Sequence, residues 1–478
     1  MKLLSLVILS LCLAACAIGP NYHRPSVSTP LRWSTPQPRG TAAGTEAATD
    51  LWWEMFHDAE LTSLIQRAVK ANYDLVRATA RVEEARAGGG LARSTYSPQI
   101  NADLSATRNR QIGVGALPKA GRVAVQRFPY EVSEYSSAIG LSWELDLFGR
   151  IRRGVEAATA DIAASEQDRR NVLVILLGDV GRNYADLRGF QLRIEIAAKN
   201  IMIAEDTLEL TKQRVKAGLA TERDVSQAQA QLEAVRAQVP SLHTNLQFSA
   251  HRLAILLAQQ PDSLESELSA SAPVPSLPPN APTGMPSDLL RRRPDILQVE
   301  AQLAAATARV GEAKADYFPR FNLLGNAGRQ ATQLHDLSLG LGNFFSVGPS
   351  VSLPVFTGGR IRSVVAIEDA RVKEATALYQ STLLKAFEEV ENALVAYGNE
   401  QERRDLLLST VKADETAFDL ANIQYKAGLT DFLTVLDAQR ELYGNRDLLA
   451  QSQTQVVTTL VGLYQALGGG WAIAPALP

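Results

Sequence analysis

The residues able to act as metal ligands, nucleophiles or phosphate binders form no recognisable site in this sequence. The five histidines include no HExxH pair, and His243 and His251 lie eight residues apart on a predicted helix, where a surface or packing role is far commoner than a metal site. The run Gly88-Gly89-Gly90 lies in a helical pattern and lacks the strand-turn-helix setting of a phosphate loop. Gly-x-Ser-x-Gly and Walker motifs are absent. We therefore expect no enzyme activity, no metal and no cofactor.

The N-terminus indicates covalent chemistry of another kind. Lys2 is followed by an apolar run and by Leu13-Ala14-Ala15-Cys16, the arrangement of a secretory signal that ends in small residues. This stretch resembles a bacterial lipobox, in which residues 1–15 are removed and Cys16 receives lipid such as palmitate. An ordinary signal peptide with Cys16 left free is the alternative. Ala17 in place of Asp resembles the sorting signal of outer-membrane lipoproteins.

One acidic residue near the C-terminus is a further candidate. Asp437 follows Leu433 by four positions, so both lie on one face of a predicted helix. A lone acidic residue on a helix is usually a solvated surface charge. From the residues alone, that interpretation of Asp437 is the stronger one.

The sequence is a tandem duplication. The letters KAGL occupy Lys216–Leu219 and return 210 residues later as Lys426–Leu429. The same offset carries Arg150-Ile151-Arg152 onto Arg360-Ile361-Arg362, whereas Tyr96 matches Tyr317 at an offset of 221. The 11-residue difference indicates an insertion in the first copy between Pro98 and Arg150. A period this long excludes a solenoid of small repeats.

A strict seven-residue period predicts long, supercoiled helices on both sides of each KAGL. Each copy is therefore a helical hairpin, with Gly218 or Gly428 providing the left-handed turn conformation. At a rise of about 1.5 Å per residue, the longer helix is about 100 Å long, and Pro240 should kink one of the shorter ones. The period is carried by Leu173, Val180, Leu187, Ile194, Ile201, Leu208 and Val215, and in the second copy by Leu383, Val390, Tyr397, Val411, Phe418 and Tyr425, interrupted only at Arg404.

A two-residue period predicts strands of about ten residues before each long helix. In the run from Ile139 to Leu147 and in the run from Phe345 to Val355, apolar and small or polar residues alternate, and weaker alternation follows Pro98 and Pro319. Such segments suit a membrane barrel that is apolar toward lipid and polar toward the lumen. A one-sided soluble sheet is the alternative.

Four strands per chain cannot close a barrel, and open sheet edges are not tolerated in lipid. Two chains would enclose a lumen that side chains fill, whereas three chains would make twelve strands with room for a channel. We therefore expect a homotrimer. The balance of 48 basic against 51 acidic residues shows no basic footprint for nucleic acid.

The combined motifs resemble the TolC-like outer-membrane factors, in the lipoprotein branch that is similar to OprM and NodT. The resemblance covers nearly the whole mature chain and is carried by CAIGPNYHRP, LWWEMFHDAELTSLI, WELDLFGRIRR, RRRPDI, LPVFTGGRIR, LTVLDAQREL and LVGLYQALGGGW.

This resemblance implies an α+β membrane protein. Three chains form a twelve-stranded outer-membrane β-barrel, four strands from each, continuous with a long α-helical periplasmic barrel and a mixed equatorial domain. We expect a signal peptide at 1–15, a lipidated segment at 16–60, a first repeat at 61–258 with its tip at 216–221, a Pro-rich strap at 259–286, a second repeat at 287–467 with its tip at 426–431, and a tail at 468–478.

The resemblance also assigns roles to residues. It places Leu433 and Asp437 at a periplasmic gate, as an apolar and an acidic ring, whereas the first copy has Arg223 and Gln227 there. Because Pro261 to Pro286 contains seven prolines, the strap is expected to hold no helix. The adaptor-docking tips would be Ala217, Gly218, Leu219 and Ala220 together with Ala427, Gly428, Leu429 and Thr430.

The implied function is a passive exit duct, the outer-membrane channel of a tripartite multidrug efflux system. Its partners would be a periplasmic adaptor (membrane fusion protein), an inner-membrane RND transporter and outer-membrane lipid. A type I protein-secretion duct is an alternative within the family. A periplasmic adaptor is the alternative from another class, although the duplication argues against it.

Overall fold

In a computed structural model of the chain, the residues described are 17–36, 38–42, 50–119, 122–278, 281–339 and 342–471. The chain divides into two compact units. One holds residues up to 24, 83–163 and 301–377, and the other holds 25–82, 164–300 and 378 onward. Both units draw on both copies of the duplication.

The first unit contains a four-stranded antiparallel sheet, whose strands in spatial order are β2 (Gln99–Lys119), β3 (Arg122–Leu145), β5 (Arg320–Ala331) and β6 (Asn343–Ser352). Apolar side chains of these strands, such as Ile100, Leu104 and Phe345, are largely exposed. In the described part of the chain, neither β2 nor β6 pairs along its outer edge.

The expected strand length of about ten residues holds for β5 and β6 but is wrong for the first copy. There β2 has 21 residues and β3 has 24, and they pair from Gln99↔Ser142 to Lys119↔Arg122. β3 pairs with β5 only between Leu145 and Tyr135, so the rest of β2 and β3 is a two-stranded ribbon. The 11-residue insertion therefore lengthens a hairpin, whose outer part continues as a ribbon because its two strands satisfy each other's backbone hydrogen bonds.

Long helices make up most of the chain, and the seven-residue period marks their buried positions. Leu173, Val180 and Leu187 are fully buried, as are their counterparts Leu383 and Val390. The helices are α1 (Ala59–Ala71), α2 (Tyr73–Ser94), α3 (Arg150–Lys216), α4 (Glu222–Leu256), α5 (Glu265–Leu268), α6 (Leu289–Arg292), α7 (Pro294–Ala315), α8 (Asp336–Leu339), α9 (Arg360–Lys426) and α10 (Phe432–Ala466), with short 3-10 helices at Trp52–Phe56 and Pro286–Asp288.

The second unit holds two hydrophobic clusters. The larger one packs Trp52, which stacks on Tyr464 with ring centroids 5.6 Å apart, against apolar residues of α1, α3, α9 and α10. The smaller one joins α3, α4, α9 and α10 near the hairpin turns and includes Leu208, Leu232 and Phe432. Burial of these helix faces supplies the main stabilisation of the unit.

The Pro-rich segment between the copies differs from the expectation in one respect. It holds a single helical turn, Glu265–Leu268, which forms in the stretch between Pro261 and Pro273 where no proline intervenes. Farther along, Ala281–Pro282 (β4) pairs in parallel with Thr41–Ala42 (β1). Proline therefore excludes longer helices here but not a single turn.

Within the part of the chain that the structure describes, none of the helices combines the length and the apolar character needed to cross a membrane.

Candidate functional site

The turn between α3 and α4 is a glycine-terminated helix end. Gly218 has φ +73°, and its N–H donates to Val215 O at 2.9 Å, while Leu219 N–H donates to Arg214 O at 2.8 Å. This pair of bonds satisfies two carbonyls at the end of α3 and requires a left-handed residue at Gly218. Leu219 is 65% exposed, so the tip presents an apolar side chain beside open backbone.

The second turn repeats this geometry. Gly428 also has φ +73°, and the bonds Gly428 N–H to Tyr425 O at 3.0 Å and Leu429 N–H to Gln424 O at 2.9 Å match the first copy. Leu429 is 79% exposed. Both predicted tips are therefore the same local structure.

Side-chain caps start the second helix of each hairpin. Thr221 accepts from Asp224 N–H, and Asp224 accepts in return from Thr221 N–H, which completes a capping box. In the second copy, Asp431 accepts from the hydroxyl and the N–H of Thr434. These two bonds lower the pKa of the exposed Asp431, so the cap stays ionised at neutral pH.

The predicted gate residues lie on one exposed face of α10. Leu433 is 40% exposed, and Asp437, one turn later, is also exposed. Asp437 makes no ion pair or side-chain hydrogen bond with any described residue. The neighbouring Val435 and Leu436 are buried, so packing directs Leu433 and Asp437 away from the cluster.

The first copy presents different side chains at the equivalent positions. Arg223 is exposed, and Gln227 is half-buried with a side-chain oxygen that accepts no hydrogen bond within the described structure. The two hairpins of one chain thus share their turns but differ in the residues that follow.

A buried polar layer joins the hairpins, and the sequence analysis did not single it out. Gln439 is 1% exposed and donates to Tyr443 Oη at 2.7 Å, while Tyr443 donates to the carbonyl oxygen of Asn200 on α3 at 2.8 Å. Gln439 also lies 3.4 Å from Thr207 Oγ1. The sequence feature that could have revealed this layer is Gln439, which lies beside buried positions of the seven-residue period. A buried polar residue at such a place fixes the register of packed helices.

A second link joins the hairpins at their tips. Arg214 of α3 lies over the ring of Tyr425, 4.4 Å from its centroid, and donates to Lys426 O at 3.2 Å. The guanidinium thereby caps the end of α9, where the helix dipole favours a cation.

Each hairpin also carries the same internal ion pair. Arg236 of α4 contacts Glu205 of α3 at 2.7 Å, and Arg446 of α10 contacts Glu415 of α9 at 2.8 Å. Both residues of the second pair lie 210 positions after those of the first. The duplication offset was therefore the signal that could have revealed them.

Cys16 lies outside the described residues, but the segment after it is held in the first unit. Arg153, whose side chain is 4% exposed, donates to Ile18 O at 3.1 Å, to Gly19 O at 3.3 Å and to Asn21 Oδ1 at 2.7 Å. This contact fixes the residues that directly follow the predicted lipid attachment point.

No group of three or more His, Cys, Asp or Glu side chains within the described ranges is arranged to hold a metal ion. A family model described as outer membrane efflux protein matches residues 64–259 and 285–469. The chain belongs to this family, and the assignment made from the motifs is confirmed.

Relatives match over nearly the whole length. Pyoverdine export outer membrane protein OpmQ of Pseudomonas aeruginosa is 33% identical over 474 residues, covering 98% of this chain and 97% of the relative. Toluene efflux pump outer membrane protein TtgC of Pseudomonas putida is 31% identical over 478 residues, covering 98% and 96%. The solved structure of the outer-membrane channel OprN superposes with a TM-score of 0.86 at 35% identity, covering 95% of this chain and all of that one. The chain is accordingly an outer-membrane efflux protein.

Proposed function

We propose that this chain forms the passive exit duct of a tripartite multidrug efflux system. The observation that carries the proposal is the four-stranded sheet, whose outer edges on β2 and β6 are unpaired and whose strands expose apolar side chains. Backbone groups at an open edge have no partners in hydrocarbon, so other copies must complete the sheet. Three copies supply twelve strands, enough to enclose a channel.

The gate is proposed at Leu433 and Asp437. In a trimer, three exposed Leu433 side chains make an apolar ring, and three Asp437 carboxylates without partners among the described residues make an acidic ring. An acidic ring attracts cations, and an apolar constriction limits water. The buried layer at Gln439 and Tyr443 holds α10 against α3 on the side of the gate away from the tip.

The six tips of a trimer are the proposed contact with a periplasmic adaptor. Gly218 and Gly428 share one backbone geometry, and Leu219 and Leu429 are both exposed. An adaptor ring can therefore meet every tip with one kind of contact. Through the adaptor, the duct would be coupled to an inner-membrane RND transporter that supplies the energy.

The proposal includes a lipid on Cys16. The lipobox supports it, and so does the Arg153 contact, which holds residues 18–21 against the start of α3 directly below the sheet. The lipid would thus anchor the chain in the outer membrane beside its own barrel.

One preparation of the detergent-solubilised protein tests the proposal. Light scattering corrected for detergent should give about three times the mature mass, as the closed barrel requires, and the same material should conduct ions in a planar bilayer. A stable monomer that conducts would contradict the architecture. A trimer that never conducts would contradict the duct.

A further inference from the structure

The junction at which a strand of the sheet leads into a long helix occurs twice. In the first copy, acidic side chains neutralise the arginines at the start of the helix. Arg150 pairs with Glu144 at 2.8 Å, and Arg152 pairs with Asp146 at 3.3 Å. Between the two arginines, Ile151 is buried, which turns both guanidinium groups away from the core. The carboxylates at the end of the strand therefore neutralise both arginines at the start of the helix.

The first junction is also covered by the N-terminal segment. A Cβ atom on Gly149, which has φ +83°, would lie 2.7 Å from the Cα of Ala17. Arg153 holds the following carbonyls of Ile18 and Gly19. The occupant of this junction is thus the peptide that follows the proposed lipid-bearing Cys16.

The second junction keeps the arginines and the backbone but loses each of these partners. At an offset of 210, Pro354 replaces Glu144, Phe356 replaces Asp146 and Ser363 replaces Arg153. Gly359 retains the left-handed conformation at φ +87°, yet no described atom lies within 4 Å of where its Cβ would be. Arg360 and Arg362 are exposed and make no ion pair or side-chain hydrogen bond among the described residues, while Ile361 between them is buried.

Apolar side chains lie next to these arginines. Val355 is 90% exposed and Phe356 is 91% exposed. They continue the exposed apolar series of β6 that includes Val347 and Val351. An isolated soluble surface would leave this combination of two unpaired cations and a large apolar patch without a partner.

We propose that Arg360 and Arg362 bind the phosphate of an anionic phospholipid whose acyl chains lie along Val355 and Phe356. Guanidinium groups recognise phosphate through paired hydrogen bonds, and the apolar residues match the rest of the lipid. The first junction supports this occupant, because there Gly149 and Arg153 hold residues 17–19, which directly follow the proposed lipid-bearing Cys16. The second junction takes a free lipid in the same position. This inference rests on the proposed insertion of the sheet into the outer membrane.

The test compares lipid retention in purified protein by native mass spectrometry. The probe is phosphatidylglycerol, compared with zwitterionic phosphatidylethanolamine, added to delipidated wild type and to the double variant Arg360→Gln/Arg362→Gln. We expect phosphatidylglycerol retention to fall about tenfold in the double variant, since each arginine near a lipid surface contributes appreciably. Lys373→Gln, which removes an exposed charge from the same helix, should retain lipid like the wild type, and Arg360→Lys/Arg362→Lys should retain most of it.

Three outcomes would overturn the inference. The first is that wild type and the double Gln variant retain phosphatidylglycerol equally. The second is that inorganic phosphate alone displaces the lipid completely. Loss of trimer in the double variant with unchanged lipid per chain is the third, because the arginines would then contact another copy. If the double variant does not fold, Phe356→Ser tests the apolar contact with the acyl chains. Unchanged phosphatidylglycerol retention in Phe356→Ser also counts against the site. A wild type that is no trimeric channel would instead contradict the proposed function, as mass and conductance are measured on the same sample.

Discussion

Arg446 of α10 reaches Glu415 of its own hairpin at 2.8 Å and the side-chain oxygen of Asn200 on the other hairpin at 3.4 Å. Among the described residues, its counterpart in the first copy, Arg236, reaches only Glu205 and Glu233 within its own hairpin. The same ion pair therefore has two different consequences. In the first copy it connects two helices, whereas in the second it also ties the hairpins together.

Arg446→Met should destabilise the helical region more than Arg236→Met. The side chain of Arg446 is half-buried, and its loss removes the bonds to Glu415 and Asn200, for an expected cost of about 1 kcal/mol. The Arg236 side chain is 46% exposed, so its ion pairs are weak surface contacts and its replacement should leave stability unchanged within error. Thermal unfolding of both variants, followed by circular dichroism, makes the comparison. Equal midpoints for the two variants would show that the tie between hairpins adds nothing.

Shortening the gate side chains should open the resting channel. Leu433→Ala with Asp437→Ala removes the proposed apolar and acidic rings, so single-channel conductance in a planar bilayer should rise. Asp437→Asn alone should reduce preference for cations, measured as a reversal potential closer to zero in a salt gradient.

The matched control for the gate is in the first copy. Arg223→Ala with Gln227→Ala alters the equivalent positions and should leave conductance near that of the wild type. If only the first-copy variant changed conductance, the gate would have to be reassigned to α4.

The glycine turns should be required for export but not for assembly. Gly428→Pro with Gly218→Pro forces φ near −65° where both turns have +73° and removes an N–H that bonds to the helix end, so each tip should unravel. Cells carrying the variant should become drug-sensitive, while trimer formation on gels persists. Gly444→Ala, inside α10 with open space around it, should be neutral or slightly stabilising. Normal export by the tip variant would exclude the tips as the docking site.

Cys16 should carry the lipid. A radioactive fatty acid should label the wild type and leave Cys16→Ser unlabelled, and the unlabelled variant should stay membrane-associated if its trimer forms. Equal labelling of both proteins would contradict lipidation at this residue.

The Glu391 carboxylate should hold the N-terminal segment around Ser34 and Thr35 on α9, and this contact should depend on pH. Burial opposes ionisation of Glu391, but the hydroxyl of Thr35 and the N–H groups of Ser34 and Thr35 donate to it at 2.5 to 3.0 Å and lower its pKa below the ordinary value of 4.5. Since the folded pKa is lowered, the contact is at full strength above about pH 4.5 and is lost as pH falls through the folded pKa. Hydrogen exchange of residues 31–36 should therefore accelerate only in acid.

Glu391→Gln reproduces the loss at neutral pH. Trypsin should cut after Arg32 and Arg39 faster in this variant than in the wild type, because the segment is released from α9. Glu402→Gln, an exposed change on the same helix, should not alter the rate. Unchanged cleavage in Glu391→Gln would mean that Trp33 and its contacts suffice to hold the segment.

Local chemistry made much of this fold predictable. The seven-residue period found buried positions such as Leu173 and Val390, and Gly218 and Gly428 marked both turns, because helix packing and left-handed conformations leave direct traces in nearby residues. Strand length was less accessible, since the pairing of the outer parts of β2 and β3 is a property of the hairpin rather than of either strand.

Contacts between segments far apart in the chain could not be predicted from the sequence. Arg153 meets Ile18 across 135 positions, and Thr35 meets Glu391 across 356 positions. The residues that flank Arg153 and Glu391 in sequence do not distinguish these two side chains from ordinary surface charges. Only packing of the chain brings each one to backbone donors or acceptors.

The unequal hairpins of the sheet have a practical consequence. Beyond Tyr135 the ribbon of β2 and β3 no longer pairs with β5, and its last pair, Lys119 with Arg122, is at the end of the ribbon away from α2 and α3. In the proposed orientation that end faces the outside of the cell. A short epitope inserted beside Lys119 would lie outside the four-stranded part of the sheet, so antibody binding to intact cells would report how many ducts have reached the surface.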